Sequence, residues 1–536
     1  MPGKKAMHGK AESETEMTSG KMHKIVTASQ MQNIDRRAIE GMGIPGLQLM
    51  EAAGKGVAAH VKDDLYDRDV TGQKVAIVCG RGNNGGDGFV CGRYLKQWGA
   101  DVRYFLLGKT TELKGDGLAN YERLDDKGAV CEVSAETDIP AFTEYDLIID
   151  ALLGTGFKGK IEGLAAEVVR RINAADKPVV AVDVPSGLIA DTGRTEGEVI
   201  SAEMTVTLAL PKVGHFLYPG RALTGSLKIV DIGIPNSAVE AENIDLHLIT
   251  EEYVGETLPE RAPDAHKGSC GKLFILAGSK GMTGAAALAG NAAVRSGAGL
   301  VYVGCPESLN DILEVKLTEA LTRPLPEVGK KRVVARRALG EVMKYIADVD
   351  AIAVGPGLSQ HFETQELVRR VIARRDKPTV LDADGINAFA KDNTALKENS
   401  APLIITPHVG ELSRIVDAPI DDILAHRKSW AQKAAAMFNC VCVLKGAPTF
   451  VAEPGGRVCL NPTGNAGMAS GGTGDVLTGI IVALLGQGLS TMDAACCGAY
   501  LHGMAGDLAA DELGQVSMAA SDMIDWLPEV FLRFRL

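Results

Sequence analysis

NPTGNAGMASGGTGDVLTG, residues 461–479, decides how this chain is read. Gly471, Gly472 and Gly474 carry no Cβ, so a turn there can aim successive backbone N–H groups inward, and the apolar run from Val476 has the character of a following helix. Unpaired amides at a helix start make an anion site. Asp475 falls at the start of that helix, where it can take a proton from a substrate hydroxyl while the amides hold a transferring phosphoryl group. GGTGD alone equally permits a glycine-rich turn capped by an aspartate.

The longer stretch resembles the phosphoryl-transfer signature of the ribokinase-like superfamily, and in its full length that of the NAD(P)H-hydrate dehydratase branch. Its surroundings have a matching layout. Strand-like runs GKLFILAGS, GLVYVGCP, AIAVGPGL, PTVLDADGINAF, PLIITPHVGE and VCVLKGAPTFV alternate with helical stretches, which predicts an α/β domain with ligands at the carboxyl ends of the strands. At those ends lie the small-residue helix around Ala285, the tight turn at Gly357, and His408 with Glu411 in TPHVGE. His408 is either a ligand contact or a structurally satisfied histidine, and Lys445 either meets a nucleotide phosphate or sits in a hairpin turn. The resemblance, over roughly residues 248–536, implies that Ala285, Gly357, His408 and Asp475 meet a hydrated nicotinamide nucleotide. It also implies that Lys445, Gly446, Ala447, Pro448, Thr449 and Gly474 meet ADP or ATP, with magnesium bridging the nucleotide phosphates. The residues themselves do not distinguish ADP from ATP.

The first half repeats the alternation. From Thr27, apolar residues at helical spacing broken at Gly43 to Gly46 give two helices joined at Pro45. Six strand-like runs follow, KVAIVCG, DVRYFLLG, DLIIDALLGTG, PVVAVDVPSG, MTVTLAL and LKIVDIG, with helices between several of them. Three strand ends carry polar loops: NNGGDG, with Asn83, Asn84, Gly85, Gly86 and Asp87; Asp150 followed by Gly154, Thr155, Gly156, Phe157, Lys158, Gly159 and Lys160; and Asp183 followed by Ser186. Each is an ordinary αβ turn taken alone, but three on one sheet edge form a candidate site. Asn84, Asp150 and Ser186 are oxygen donors with one formal charge, which suits a monovalent cation better than zinc. Asp183 is the acid/base candidate.

Over roughly residues 25–240 the stretches IDRRAIEGMGIPGLQLMEAAG, NNGGDG, DALLGTG and VDVPSG together resemble the NAD(P)H-hydrate epimerase family. That likeness implies potassium at Asn84, Asp150 and Ser186, nucleotide contacts along the two glycine loops, and Asp183 against the substrate.

At 536 residues the chain holds at least two domains, and 46% hydrophobic with 23% charged residues is the balance of a globular protein. A net charge of -12 without a basic run argues against nucleic-acid and membrane-surface partners. Ten scattered cysteines without a CxxC spacing predict reduced thiols in a cytoplasmic protein. No apolar run approaches the roughly 20 residues a membrane helix needs. The expected organisation is a disordered tail over residues 1–24, an epimerase domain over 25–240, a linker over 241–262 and a dehydratase domain over 263–536. The expected fold is α/β, two three-layer αβα sandwiches, the first Rossmann-like with a mostly parallel sheet and the second ribokinase-like. The resemblance implies repair of hydrated NADH and NADPH (NADHX and NADPHX) by a homo-oligomer. The alternative is a ribokinase-like small-molecule kinase fused to a non-catalytic nucleotide-binding module.

Overall fold

The computed structural model describes residues 22–398 and 401–534. Residues 1–21 of the expected tail lie outside the described residues, and its last two, His23–Lys24, are a short strand. The two helices expected after Thr27 are present. Thr27 and Gln30 form a reciprocal capping box at the start of Ala28–Arg36, and Gly43, at φ 74°, turns the chain into Gly46–His60.

The first sheet runs edge to edge through Val130–Val133, Asp101–Leu107, Lys74–Cys79, Leu147–Ala151, Val179–Val182, Met204–Leu208 and Ser226–Val230, every ladder parallel. Successive residues of one strand feed different cores. Val75 and Ile77 face the core under Gly46–His60, while Ala76 and Val78 face the one under Gly163–Asn173. Burial on both faces is why these strands read as continuous apolar runs. From Lys74–Cys79 the chain builds outward to one edge and then returns to Leu147–Ala151 on the other flank. The crevice between those two strand ends is the topological switch point, where open α/β sheets bind ligands.

The second sheet is ordered His23–Lys24, Leu246–Leu248, Val458–Asn461, Thr449–Ala452, Val441–Leu444, Leu403–Ile405, Thr379–Leu381, Ala351–Val354, Lys272–Leu276, Leu300–Pro306 and Leu321–Leu325. Its seven strands from Val441–Leu444 to the last edge are parallel. It too is covered on both sides, with Leu273 and Ile275 in one core and Phe274 and Leu276 in the other. Its switch point lies between Lys272–Leu276 and Ala351–Val354.

The stretch 241–262, expected to be a linker, carries the strand Leu246–Leu248 and the helix Glu251–Thr257, whose Val254 is fully buried. Three residues of strand are too few to show a period of two in sequence. The halves also meet directly. Arg221 donates a guanidinium N–H to the Pro462 carbonyl at 2.5 Å, inside the opening motif of the second half. No helix among the described residues is long and apolar enough to cross a membrane, and all ten cysteines are free.

Candidate active sites

The first switch point opens into a cavity of about 870 Å³. Of the residues singled out in sequence, Asn83, Asn84, Asp87, Gly154, Thr155, Gly156, Phe157, Lys158 and Asp183 line it. Gly85 and Gly86 stand behind the wall. A Cβ on Gly85 would lie 1.9 Å from the Gly80 carbonyl oxygen, so this glycine lets the helix Asn83–Gln97 start hard against its strand, and one on Gly86 would lie 2.6 Å from Met50 Sδ, so that glycine lets the helix Gly46–His60 pack close. Gly159 and Lys160 fall outside the lining, and the Lys160 ammonium reaches Glu162 at 3.9 Å on the surface.

Asp183 follows Val179–Val182 at φ 65°, a left-handed backbone that aspartate tolerates better than most residues. Its Oδ1 accepts from Lys212 Nζ, from the Thr207 hydroxyl at 3.0 Å and from the Leu208 amide at 3.0 Å. No donor among the described residues reaches its Oδ2. Burial pushes this carboxyl up, but the Lys212 ammonium outweighs it and holds it below the usual carboxylate range. Lys212 is fully buried and gives its remaining protons to Thr207 Oγ1 and the Leu208 carbonyl, both at 3.0 Å. His215 completes the support, with Nε2 3.0 Å from the Asp183 carbonyl oxygen, and burial lowers its imidazole to about 3, so it stays neutral. Sequence reasoning missed Lys212, Thr207, His215 and Asp35. A lysine in a loop reads as surface, and only its place after a buried strand hints otherwise.

Beneath the loops, Asp150 is fully buried. Its Oδ1 accepts from the Ser186 hydroxyl at 2.6 Å and its Oδ2 from the Ser186 amide at 2.8 Å. Asn84 Nδ2 donates to the Leu153 carbonyl at 2.9 Å, and the Leu153 amide donates to Ser186 Oγ at 2.8 Å. Asn84, Asp150 and Ser186 are thus gathered around one stretch of backbone. Burial pushes the Asp150 carboxyl up to about 6, and no cationic side chain stands against it. A buried carboxylate amid neutral oxygens fits a bound monovalent cation. Among the described residues no three His, Cys, Asp or Glu side chains are placed to hold a metal ion, and this set, with its single carboxylate, is of another kind.

The second switch point gathers the rest. Gly357 and Ala285 are neighbours, since a Cβ on Gly357 would lie 3.0 Å from that of Ala285. Helix Thr473–Gly486 begins after Gly472, at φ 100°, and the amides of Gly471, Gly472, Thr473 and Gly474 find no acceptor among the described residues. Asp475 stands in this first turn. Burial, then the neighbouring Asp382 carboxylate, push its carboxyl up to about 7. Lys445 donates to Asp382 Oδ1 at 2.8 Å, lies 3.9 Å from Glu411 Oε2, and has its ammonium 3.3 Å from where a Cβ of Gly474 would be. Burial works against its charge, but Asp382 and Glu411 outweigh it and raise its pKa. Lys445 thus sits in the turn between two antiparallel strands, with its ammonium facing the glycine loop.

His408 has a structural task. Its Nδ1 accepts from the Gly410 amide at 3.0 Å, capping Val409–Val416, while Glu411 returns the bond to the His408 amide at 2.9 Å. Gly446, Ala447, Pro448 and Thr449 form the turn after Lys445, braced by the half-buried Arg427, which donates to the Pro448 carbonyl at 2.5 Å. Asp382 is the hub that sequence reasoning passed over. Besides Lys445 it accepts from the Thr406 hydroxyl at 2.7 Å and the Thr478 hydroxyl at 2.9 Å. Gly355, at φ 139°, makes room for it, since a Cβ there would fall 1.7 Å from the Asp382 carbonyl oxygen. Gly355→Ala is accordingly expected to lower stability by about 1–3 kcal/mol or more, read as an earlier denaturant midpoint for the whole chain.

Residues 46–214 match a family model described as the YjeF-related protein N-terminus, and residues 273–529 one described as NAD(P)H-hydrate dehydratase. Over 511 residues the chain is 43% identical to the bifunctional NAD(P)H-hydrate repair enzyme of Moorella thermoacetica, covering 94% of this chain and 96% of that one. The chain belongs to the bifunctional NAD(P)H-hydrate repair enzymes. The enzyme of that name from Escherichia coli is 33% identical over 508 residues, with 95% and 94% covered. A solved ADP/ATP-dependent NAD(P)H-hydrate dehydratase from Bacillus subtilis, co-crystallized with ATP and magnesium, is 37% identical, covers 54% of this chain and 98% of its own, and has a TM-score of 0.47. In this hydrate repair enzyme Asp183 and Lys212 fall within the first model and Asp475 within the second, while Asp35 precedes both.

Proposed function

We infer that the chain repairs hydrated NADH and NADPH by two linked activities. Residues 25–240 interconvert the R and S epimers, and the second half dehydrates the S epimer using a phosphoryl group from ADP or ATP. The observation that carries this reading is that both sheet edges present a formed site in a chain that aligns with full-length relatives of that name.

The hydrate carries a hydroxyl on ring carbon 6, beside the ring nitrogen. Hydroxide is a poor leaving group at neutral pH, and phosphate is a good one. Asp475 takes the hydroxyl proton as the oxygen attacks the terminal phosphoryl of the nucleotide. The amides of Gly471 to Gly474 stabilise the charge on the transferring group, and Lys445 faces it from the opposite strand end. The ring nitrogen's lone pair then expels phosphate from carbon 6, and loss of a proton from carbon 5 restores the double bond. Magnesium would be carried in on the nucleotide phosphates, whose oxygens are the hard donors it takes, and would neutralise their charge. Gly357, Ala285 and His408 hold the nicotinamide nucleotide, and the turn from Lys445 to Thr449 holds the adenine nucleotide.

In the first half Asp183 is the base, and Asn84, Asp150 and Ser186 hold potassium, which would fix the two glycine loops that cradle the nucleotide. Exchanging potassium for a bulky organic cation is expected to slow epimerisation by about tenfold or more, and Asp150→Ala to make the rate indifferent to potassium. Equal rates in both buffers would remove the cation from the account.

The reading itself is tested by product analysis with the purified S epimer. Reduced nicotinamide and inorganic phosphate released in equal amounts are expected. A stable phosphorylated product would instead make the second half a small-molecule kinase.

A further inference from the structure

Asp35 stands in the stretch IDRRAIEGMGIPGLQLMEAAG, to which the sequence reading assigned no chemistry. It lies near the end of Ala28–Arg36, outside both family models, and yet it lines the same cavity as Asp183. No hydrogen bond among the described residues engages its carboxyl, and the charges it faces are Lys212, Asp183 and Asp87. Asp183 has three donors on one oxygen and a free Oδ2, the disposition of a carboxylate kept ionised and aimed. The cavity therefore holds one carboxyl fixed in its charged form by a buried lysine and another left without such a partner.

Resting on the epimerase reading, we propose that Asp35 is the general acid that works opposite Asp183, giving a proton to the ring nitrogen of the hydrated nicotinamide as Asp183 takes one from the carbon-6 hydroxyl. The hydrate is a hemiaminal, with nitrogen and hydroxyl on one carbon. When Asp183 removes the hydroxyl proton, the O–H electron pair forms the C6=O bond, the N1–C6 bond breaks, and its pair goes to nitrogen, which is protonated by Asp35. The product is an open-chain aldehyde with an enamine N–H. Rotation about C5–C6 presents the other carbonyl face. Ring closure reverses each transfer: nitrogen attacks carbon 6 and returns its proton to Asp35, and the alkoxide oxygen regains one from Asp183. No co-reactant is consumed.

The environments suit these roles. Burial, only partly offset by Lys212, pushes Asp35 up to about 6, whereas Asp183 is held low, the divergence that separates an acid from a base. Asp87, more deeply buried in the same cavity, is pushed well above the usual range by burial and by the neighbouring Asp183 and Asp35 carboxyls.

The test starts from the purified R epimer of NADH hydrate without nucleotide, following appearance of the S epimer by chromatography. Wild-type protein that does not epimerise it would overturn the epimerase reading itself. Given an active wild type, Asp35→Asn is expected to slow conversion by about 100-fold or more, while the same preparation melts as the wild type does, which shows the first half folded, and still dehydrates the S epimer with ADP. Wild-type kcat/KM should fall as pH rises past about 6, the value of the free acid, and this limb should be absent from the residual activity of Asp35→Asn. Conversion by Asp35→Asn within twofold of wild type, or an unchanged alkaline limb, would overturn the proposal.

Discussion

Asp475→Asn is expected to abolish dehydration, with a loss of about 100- to 10,000-fold, and to leave epimerisation at the wild-type rate. Asparagine keeps the shape of the first turn and the open amides but cannot accept the hydroxyl proton. The same substitution should make the protein more stable at alkaline pH. The folded carboxyl titrates at about 7, well above the ordinary value of about 4, so the native state binds the proton more tightly than the unfolded chain. The contribution of Asp475 to wild-type stability is therefore undiminished below about pH 4 and declines as pH rises through 7, because a buried carboxylate must then be held charged beside Asp382. Melting curves of the two proteins should coincide near pH 4 and separate by pH 8, with the variant melting later. In the wild type, kcat/KM for dehydration should climb as pH rises through about 7. Lys445→Met should move that limb to higher pH, since the lysine is what draws the Asp475 pKa down.

Asp183→Ala is expected to slow epimerisation by a similar factor and to spare dehydration. Its cost in stability separates it from the first variant. Lys212 is fully buried, and removal of Asp183 takes away the one carboxylate its ammonium bonds to among the described residues, a change worth about 3–5 kcal/mol. Lys212→Met breaks the same pair from the other side. It should destabilise the first half and slow epimerisation without touching substrate, by freeing the Asp183 carboxyl to reorient and protonate. Because folded Asp183 titrates below its ordinary value, the pair stabilises fully above about pH 4 and is lost as pH falls. Urea unfolding at two pH values reads this, and an epimerase rate in Lys212→Met equal to wild type would contradict the assignment of Asp183 as a lysine-supported base.

What sequence could supply is visible in these variants. Asp183 and Asp475 were legible because each ends a doubly buried strand or begins a helix after a glycine turn, and short motifs mark such places. The strands Lys74–Cys79 and Lys272–Leu276 were legible for the same reason, since burial on both faces leaves an unbroken apolar run. Val130–Val133 and Leu321–Leu325 were not, because they are edge strands, partly exposed, and the second contains Pro324. Lys212 and Asp382 were missed because their partners are distant. Lys212 meets Asp183 from 29 positions away, and Asp382 accepts from Thr478 across 96, separations no periodicity records. Asp35 lay in a stretch to which no site was assigned, and only the fold brings it into one cavity with Asp183.

The most direct test of two working sites in one chain gives the purified protein mixed epimers of NADH hydrate with ADP, magnesium and potassium, and follows the return of reduced-nicotinamide absorbance. Recovery of both epimers, faster than spontaneous epimerisation permits, is the result this account requires. A fast phase that stops near the S fraction and then drifts at the uncatalysed rate would contradict it, leaving a dehydratase joined to a first half that binds nucleotide without turning it over.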